Sequence, residues 1–184
     1  MLELQPFTSD DFEQLIAWVK DDHLLMNWSG SLFNFPLTQK SLEWYVENAN
    51  DIENSDVFIY KAVDTDTGKT IGHISLGSLS KKNRSARISR VLIGDSDNRG
   101  KGCCQSIIKA VLEIGFQQLK LHRIDLGVYS FNTSAINCYK KCGFSIEGTG
   151  RDVLLFKGEW WSLIEMGILE DEWRNNKLSP NESI

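Results

Sequence analysis

Between Ala86 and Tyr129 the chain reads ARISRVLIGDSDNRGKGCCQSIIKAVLEIGFQQLKLHRIDLGVY. Its first nine residues, Ala86 to Gly94, are apolar enough for a strand. Ile108, Val111, Leu112, Gly115 and Leu119 then form a helical stripe, and Arg123 to Tyr129 forms another strand. Strand, glycine loop, helix, strand is a crossover, so the two strands should lie parallel. The loop carries Arg99, Gly100, Lys101 and Gly102 directly before the helix. Backbone N–H groups at a helix start attract anions, and glycine lets a phosphate come close. Two common phosphate patterns fail here. The P-loop spacing is one residue too long between Gly94 and Gly100, and Gly102 stands where Ser or Thr must bind magnesium. The dinucleotide fingerprint lacks its third glycine, since Cys103, Cys104 and Gln105 follow. A glycine-rich turn with no ligand is the plain alternative.

Outward from this unit the periods change several times. Leu2 and Leu4 alternate with polar neighbours, as a short strand would, and Thr8-x-x-Asp11 resembles a capping box. Phe12, Leu15, Ile16 and Val19 follow at helical spacing. Residues 21–36 have little periodicity and predict an aromatic loop or a pair of short helical turns. A second helix starts near Thr38, with Leu42, Tyr45, Val46 and Ala49 on one face. Asp56–Val63 and Thr70–Leu79 form a hairpin around the DTDTGK turn, and Lys81–Ser85 turns the chain into the strand at Ala86. Asn132 to Cys142 predicts a short helix capped by Asn132, and Phe144–Leu169 two long strands joined at Lys157-Gly158. The order is β-α-α-β-β-β-α-β-α-β-β: seven strands and about four helices in one domain, with no internal repeat. The domain is expected over residues 1–174, with residues 175–184 a polar, disordered tail.

A chain of 184 residues with 41% hydrophobic content, six Trp and nine Phe buries a real core. A net charge of -5 argues against nucleic-acid binding, which needs a basic surface. No apolar run reaches membrane-spanning length, and Glu3 and Asp10 interrupt any leader. A cytoplasmic protein without membrane partners is the expectation. The four cysteines, Cys103, Cys104, Cys138 and Cys142, contain no C-x-x-C pair, and His23, His73 and His122 are scattered. That points away from a metal site and towards burial of small apolar side chains.

Two motifs give the chain a family resemblance. Arg99 to Cys104 fits [RQ]-x-x-G-x-[GA], the pyrophosphate loop of acetyl-coenzyme A-dependent N-acetyltransferases, except at Cys104. NTSAINCYKKCGF, residues 132–144, supplies every letter of N-x-x-A-x-x-x-Y-x-K-x-G-F, the second motif of the GNAT superfamily. The motifs stand in the family's order, one helix and one strand apart. The chain therefore resembles GNAT N-acetyltransferases, and the stretch after Leu121 resembles the branch holding the RimJ/RimL-type and spermidine N-acetyltransferases.

The resemblance implies an α+β GNAT fold with a mixed, mostly antiparallel sheet splayed at a cofactor cleft. It implies acetyl-CoA as co-substrate, no metal, and an amine acceptor: a polyamine, an amino-acid-like molecule or a protein N-terminus. Leu92, Ile93 and Gly94 would run beside the pantetheine arm. Arg99, Gly100, Lys101, Gly102, Cys103 and Cys104 would wrap the pyrophosphate. Asn132, Ala135 and Lys141 would belong to the same cofactor site, and Tyr139 would protonate the departing thiolate. Arg123 and Asp125 are expected to pair ions on the strand surface. Trp28, Phe33 and Phe35 lie in the segment that covers the acceptor in this fold, and would otherwise pack as a lid. Trp160 and Trp161 should point to opposite faces, and the outward one could mark a contact in a homo-oligomer.

Two departures from the family stand out. Many relatives place a Glu on the strand before the glycine loop, where ARISRV has no carboxylate, so the base is left open among Ser89, a water chain, His73 and Glu165. Cys104 replaces Gly or Ala. The alternatives to an enzyme are a non-catalytic module that binds or senses acetyl-CoA and a structural assembly subunit.

Overall fold

The computed structural model describes residues 1–94 and 100–178. Its strands are β1 (Leu2–Pro6), β2 (Phe58–Asp64), β3 (Lys69–Ser80), β4 (Ser85–Ile93), β5 (Arg123–Tyr129), β6 (Ser145–Phe156) and β7 (Glu159–Leu169). They form one sheet in the order β1-β2-β3-β4-β5-β7-β6. Every neighbouring pair is antiparallel except β4 and β5, the two strands of the crossover.

The helices are α1 (Phe12–Trp18), α2 (Asp22–Ser29), α3 (Gln39–Val46), α4 (Cys103–Glu113), α5 (Thr133–Lys141) and α6 (Glu170–Leu178). Two of the expected starts are capped as their side chains suggest. Asp11 accepts from the Thr8 N–H at 2.9 Å in a capping box, and Thr38 accepts from Ser41 N–H at the start of α3. Within residues 21–36 the second of the two expectations holds: Asp22–Ser29 form α2, capped by Asp21, and Gly30–Leu32 a 3-10 turn. The last helix, α6, was not anticipated. It carries the chain through Asn175, Asn176 and Lys177 to Leu178, so the expected tail begins as helix. Ser179 to Ile184 lie outside the described residues.

Two apolar layers cover the sheet. On one side α4 and α5 press Ile107, Ile108, Val111, Leu112, Cys138 and Tyr139 onto Ile88, Ile124 and Leu126. On the other, Phe12, Leu15, Leu25, Trp28, Leu42 and Tyr45 from α1 to α3 pack on Ile59 and Leu92. Each fully buried Leu or Ile contributes ~1.5–3 kcal/mol, so both layers stabilise the sheet between them. Trp161 is buried and Trp160 exposed, as alternation requires.

Ile88 and Leu92 are four apart in β4 yet face opposite layers. A bulge explains this. His73 pairs with Leu92 and Ser75 with Ser89, so Ile74 of β3 faces both Arg90 and Val91. One extra residue reverses every side chain after it. Arg90 takes φ 53°, left-handed backbone that a non-glycine residue adopts only when its surroundings impose it. Its carbonyl leaves the ladder and accepts from Trp28 Nε1 at 2.8 Å and His73 Nδ1 at 2.9 Å.

His73 is fully buried between Phe7, Trp28 and Tyr45. A carbonyl only accepts, so Nδ1 carries the proton, and Nε2 has no hydrogen-bond partner among the described residues. Burial pushes its pKa down to about 4. The unfolded chain then binds a proton that the fold refuses, so stability should fall as pH drops from ~6.5 to about 4. The expected slope is ~1.4 kcal/mol per pH unit inside that window. Denaturation of wild type and His73→Gln between pH 6.5 and 5 checks this. The two curves should converge as pH falls, and parallel curves would refute a neutral His73.

Candidate functional site

The parallel pairing of β4 with β5 runs from Ser85 opposite Arg123 to Ile88 opposite Leu126 and stops there. Beyond it β4 bulges, and the strands part. Two cavities open at the gap and share Asn27, Val91, Leu92, Asn132 and Tyr139.

The larger, about 550 Å³, faces the starts of α4 and α5. Leu92, Ile93, Gly100, Gly102, Cys103, Cys104, Asn132, Ala135, Tyr139 and Lys141 from the predicted cofactor set all line it. Lys101 and Gly94 do not. Gly94 instead receives the Trp18 ring, which would occupy the place of any Cβ there. Arg99 lies outside the described residues. Gly102 caps α4 at φ 81° without a side-chain hydrogen bond, and no acidic residue stands in the first turn. The first N–H groups of a helix have no partner inside it. Space is open where Cβ atoms of Gly100 and Gly102 would stand. An uncapped helix start, two glycines and a roomy wall together suit a phosphate-bearing ligand.

Asn132 Oδ1 accepts from the Ala135 N–H and so fixes the start of α5. This places Tyr139 two turns on, in the wall common to both cavities. Burial, with Cys142 beside it, holds the Tyr139 pKa well above its ordinary value. No hydrogen bond among the described residues uses its hydroxyl. The group is a neutral phenol with its proton to give.

The cysteines are a correction to the sequence reading. Cys104 and Cys138 are not separate apolar fillers but form a disulfide that ties the first turn of α4 to α5, 34 residues apart in sequence. Cys103 and Cys142 are free, and burial pushes the Cys142 thiol up to about 11.

The smaller cavity, about 250 Å³, lies between the end of α2 (Asn27–Gly30), Arg87–Leu92 of β4, Leu126–Tyr129 of β5, and Leu163 of β7. Of the three residues expected over an acceptor, only Trp28 lines it. Phe33 stacks behind Trp28 at 5.8 Å in the core, and Phe35 is exposed away from both cavities. A Lys157–Asp22 ion pair at 2.7 Å and the edge of His23 on Trp161 at 5.1 Å join α2 to the β6–β7 hairpin beside it. Among the candidates for a base, Ser89 lines this cavity, His73 is sealed in the core, and Glu165 is held by Arg87 at 2.7 Å. Arg90, Asn27 and Tyr129 also line it and carried no sequence signal. Arg123 and Asp125 pair ions on the strand surface as expected.

These features coincide with known proteins. A family model described as an acetyltransferase (GNAT) domain matches residues 1–145. The SPbeta prophage-derived N-acetyltransferase YokL of Bacillus subtilis is 29% identical over 85% of this chain and 84% of its own length. The L-amino acid N-acetyltransferase AaaT of Escherichia coli is 32% identical over 50% of this chain and 57% of its own. The spermidine N-acetyltransferase of Vibrio cholerae, solved with CoA and spermine, superposes with a TM-score of 0.79 over 95% of this chain and 98% of its own, at 24% identity. The chain belongs to the GNAT acetyltransferase family, and its activity class is acetyl-CoA-dependent N-acetyl transfer.

Replacing Gly102 by Asp tests the helix start. The variant puts a carboxylate where space is now open and removes the residue best suited to φ 81°. Acetyl-CoA affinity by calorimetry should fall at least ~10-fold, a loss of ~1.4 kcal/mol, while the circular dichroism spectrum is retained. Unchanged affinity would place the pyrophosphate elsewhere.

Proposed function

We propose that the protein moves an acetyl group directly from acetyl-CoA to a small primary amine, with Tyr139 as general acid. The observation that carries the proposal is the position of Tyr139. Its ring stands between a cavity with the features of a CoA site and a second, smaller cavity fit for an amine.

The chemistry balances without a covalent enzyme intermediate. The amine lone pair forms the new N–C bond at the acetyl carbonyl. The C–S bond breaks, and the departing sulfur takes the Tyr139 proton. The nitrogen releases its surplus proton to water, and the phenolate recovers one. Leu92 and Ile93, beyond the bulge, line the larger cavity, and this stretch would run beside the pantetheine arm. An N–H on this stretch would polarise the carbonyl. Arg99 and Lys101 would add charge for the pyrophosphate. Cys104 and Cys138 are bonded to each other and offer no thiolate for acyl transfer.

One feature favours a second reading, a module that binds acetyl-CoA without turnover. Among the described residues, no carboxylate lines either cavity. Release of free CoA in the presence of an amine separates the two.

Tyr139→Phe keeps the ring and removes the proton donor. General acid catalysis contributes ~10²–10⁴-fold, so kcat should fall by that factor while KM for acetyl-CoA stays nearly constant. A normal kcat, with the chemical step shown to limit the rate, would remove Tyr139 from the mechanism.

A further inference from the structure

Arg87 and Arg90 are among the residues lining the smaller cavity, and no carboxylate lines it among the described residues. The two cations are not equivalent. Arg87 is fully engaged, with Nη1 on Asp125 at 2.6 Å and Nη2 on Glu165 at 2.7 Å. A third carboxylate of that surface, Glu147, is held by both terminal nitrogens of Arg123. Arg90 has no ion pair among the described residues. Its Nε donates to the Tyr45 hydroxyl at 3.0 Å, and its guanidinium carbon lies 5.0 Å over the Tyr45 ring.

That setting orients the Arg90 fork without neutralising it. Burial raises the Tyr45 pKa, so the phenol stays uncharged. His73 and Trp28, which hold the Arg90 carbonyl, are neutral too. Asp11, whose charge reaches His73, is committed to Lys61 at 2.8 Å. With Nε on Tyr45, the Nη groups of Arg90 are the uncommitted donors. A half-buried cation without a counter-ion is costly unless a ligand brings one. A planar fork matches a carboxylate in particular, through two parallel hydrogen bonds.

We infer that the acceptor is a small amine bearing a carboxylate, an amino-acid-like molecule, and that Arg90 binds this carboxylate and sets the specificity. The inference rests on the smaller cavity being the acceptor site, as proposed above. A polyamine would bring further ammonium groups to an uncompensated guanidinium, which like-charge repulsion disfavours. The cavity is also small. At about 250 Å³ it lies below the ~300–1,000 Å³ of drug-sized sites.

The test compares matched acceptors at saturating acetyl-CoA, with CoA release as readout: leucine against isoamylamine, phenylalanine against phenethylamine, and spermidine as the polycationic class. Wild type should favour the carboxylated member of at least one pair, and both members of that pair should be preferred to or comparable with spermidine. Arg90→Gln should raise KM for the carboxylated amine ~10- to 100-fold, the scale of a charge-assisted contact. It should change KM for the decarboxylated partner far less than KM for the carboxylated amine and leave acetyl-CoA affinity unchanged, and Arg90→Lys should restore part of the loss. Equal use of both members of every pair, or a preference for spermidine that Arg90→Gln does not alter, would overturn the inference while leaving acetyl transfer intact. No CoA release with any amine, from protein that binds acetyl-CoA, would overturn the transfer reading and this inference with it. If Arg90→Gln fails to fold, the wild-type preference within the matched pairs decides alone.

Discussion

The carbonyl of Arg90 receives two side-chain N–H donors, Trp28 Nε1 from α2 and His73 Nδ1 from β3. That pair of bonds holds the bulge in β4, and much of the architecture depends on the bulge. It reverses the strand, so Ile88 packs under α4 while Leu92 packs under α2 and α3. It also coincides with the end of pairing to β5. A sheet whose central strands stay paired has no opening. Here the gap between them becomes a passage lined on one side by helix starts and on the other by α2.

The same two donors tie a helix to the sheet. Trp28 belongs to α2 and His73 to β3, so a helix end and a neighbouring strand both grip one peptide of β4. Neither donor is charged, and the left-handed backbone at Arg90 is kept by packing and hydrogen bonds alone. The orphaned Nε2 of His73 is the cost of that arrangement, since only one ring nitrogen can reach the carbonyl. Such a feature is tolerated where it positions something else, and what it positions is the edge of the cleft.

The sequence displays the parts whose local chemistry is self-sufficient. The bounds of β5 are those predicted from RIDLGVY, because alternation over seven residues admits one register. The start of α5 follows from Asn132, whose side chain makes the cap it suggests. The glycines before α4 take left-handed backbone, as a loop that must approach a ligand requires. What stays hidden depends on partners distant in sequence. ARISRVLIG alternates well enough to pass for an even strand, and the bulge arises only because His73 and Trp28 claim the Arg90 carbonyl. Phe33 and Phe35 look equivalent in sequence, yet one stacks on Trp28 and the other is exposed. The disulfide joins residues 34 apart with no spacing signature. Helix α6 is hidden in the sequence because its polar, charged run has a weak apolar face, with Trp173 packed beside Phe116 and Lys177 paired with Glu113.

Charge follows from the same geometry. Around the junction of the cavities, burial keeps His73, Tyr45 and Tyr139 in uncharged forms, and Arg87 is covered by two carboxylates. Among the described residues there, Arg90 is the charge without a counter-ion, and it is positive. A positive neighbour disfavours an ammonium relative to its free amine. A carboxylate seated on Arg90 would likewise lose much of its power to stabilise an ammonium within the same molecule. Both effects lower the affinity of the attacking nitrogen for its proton. Much of the work of a dedicated base would then be done by the electrostatic setting, with Ser89 and water left to carry the proton away. A cleft of this kind eases the demand for the carboxylate that ARISRV lacks, because the amine arrives where its charged form is disfavoured.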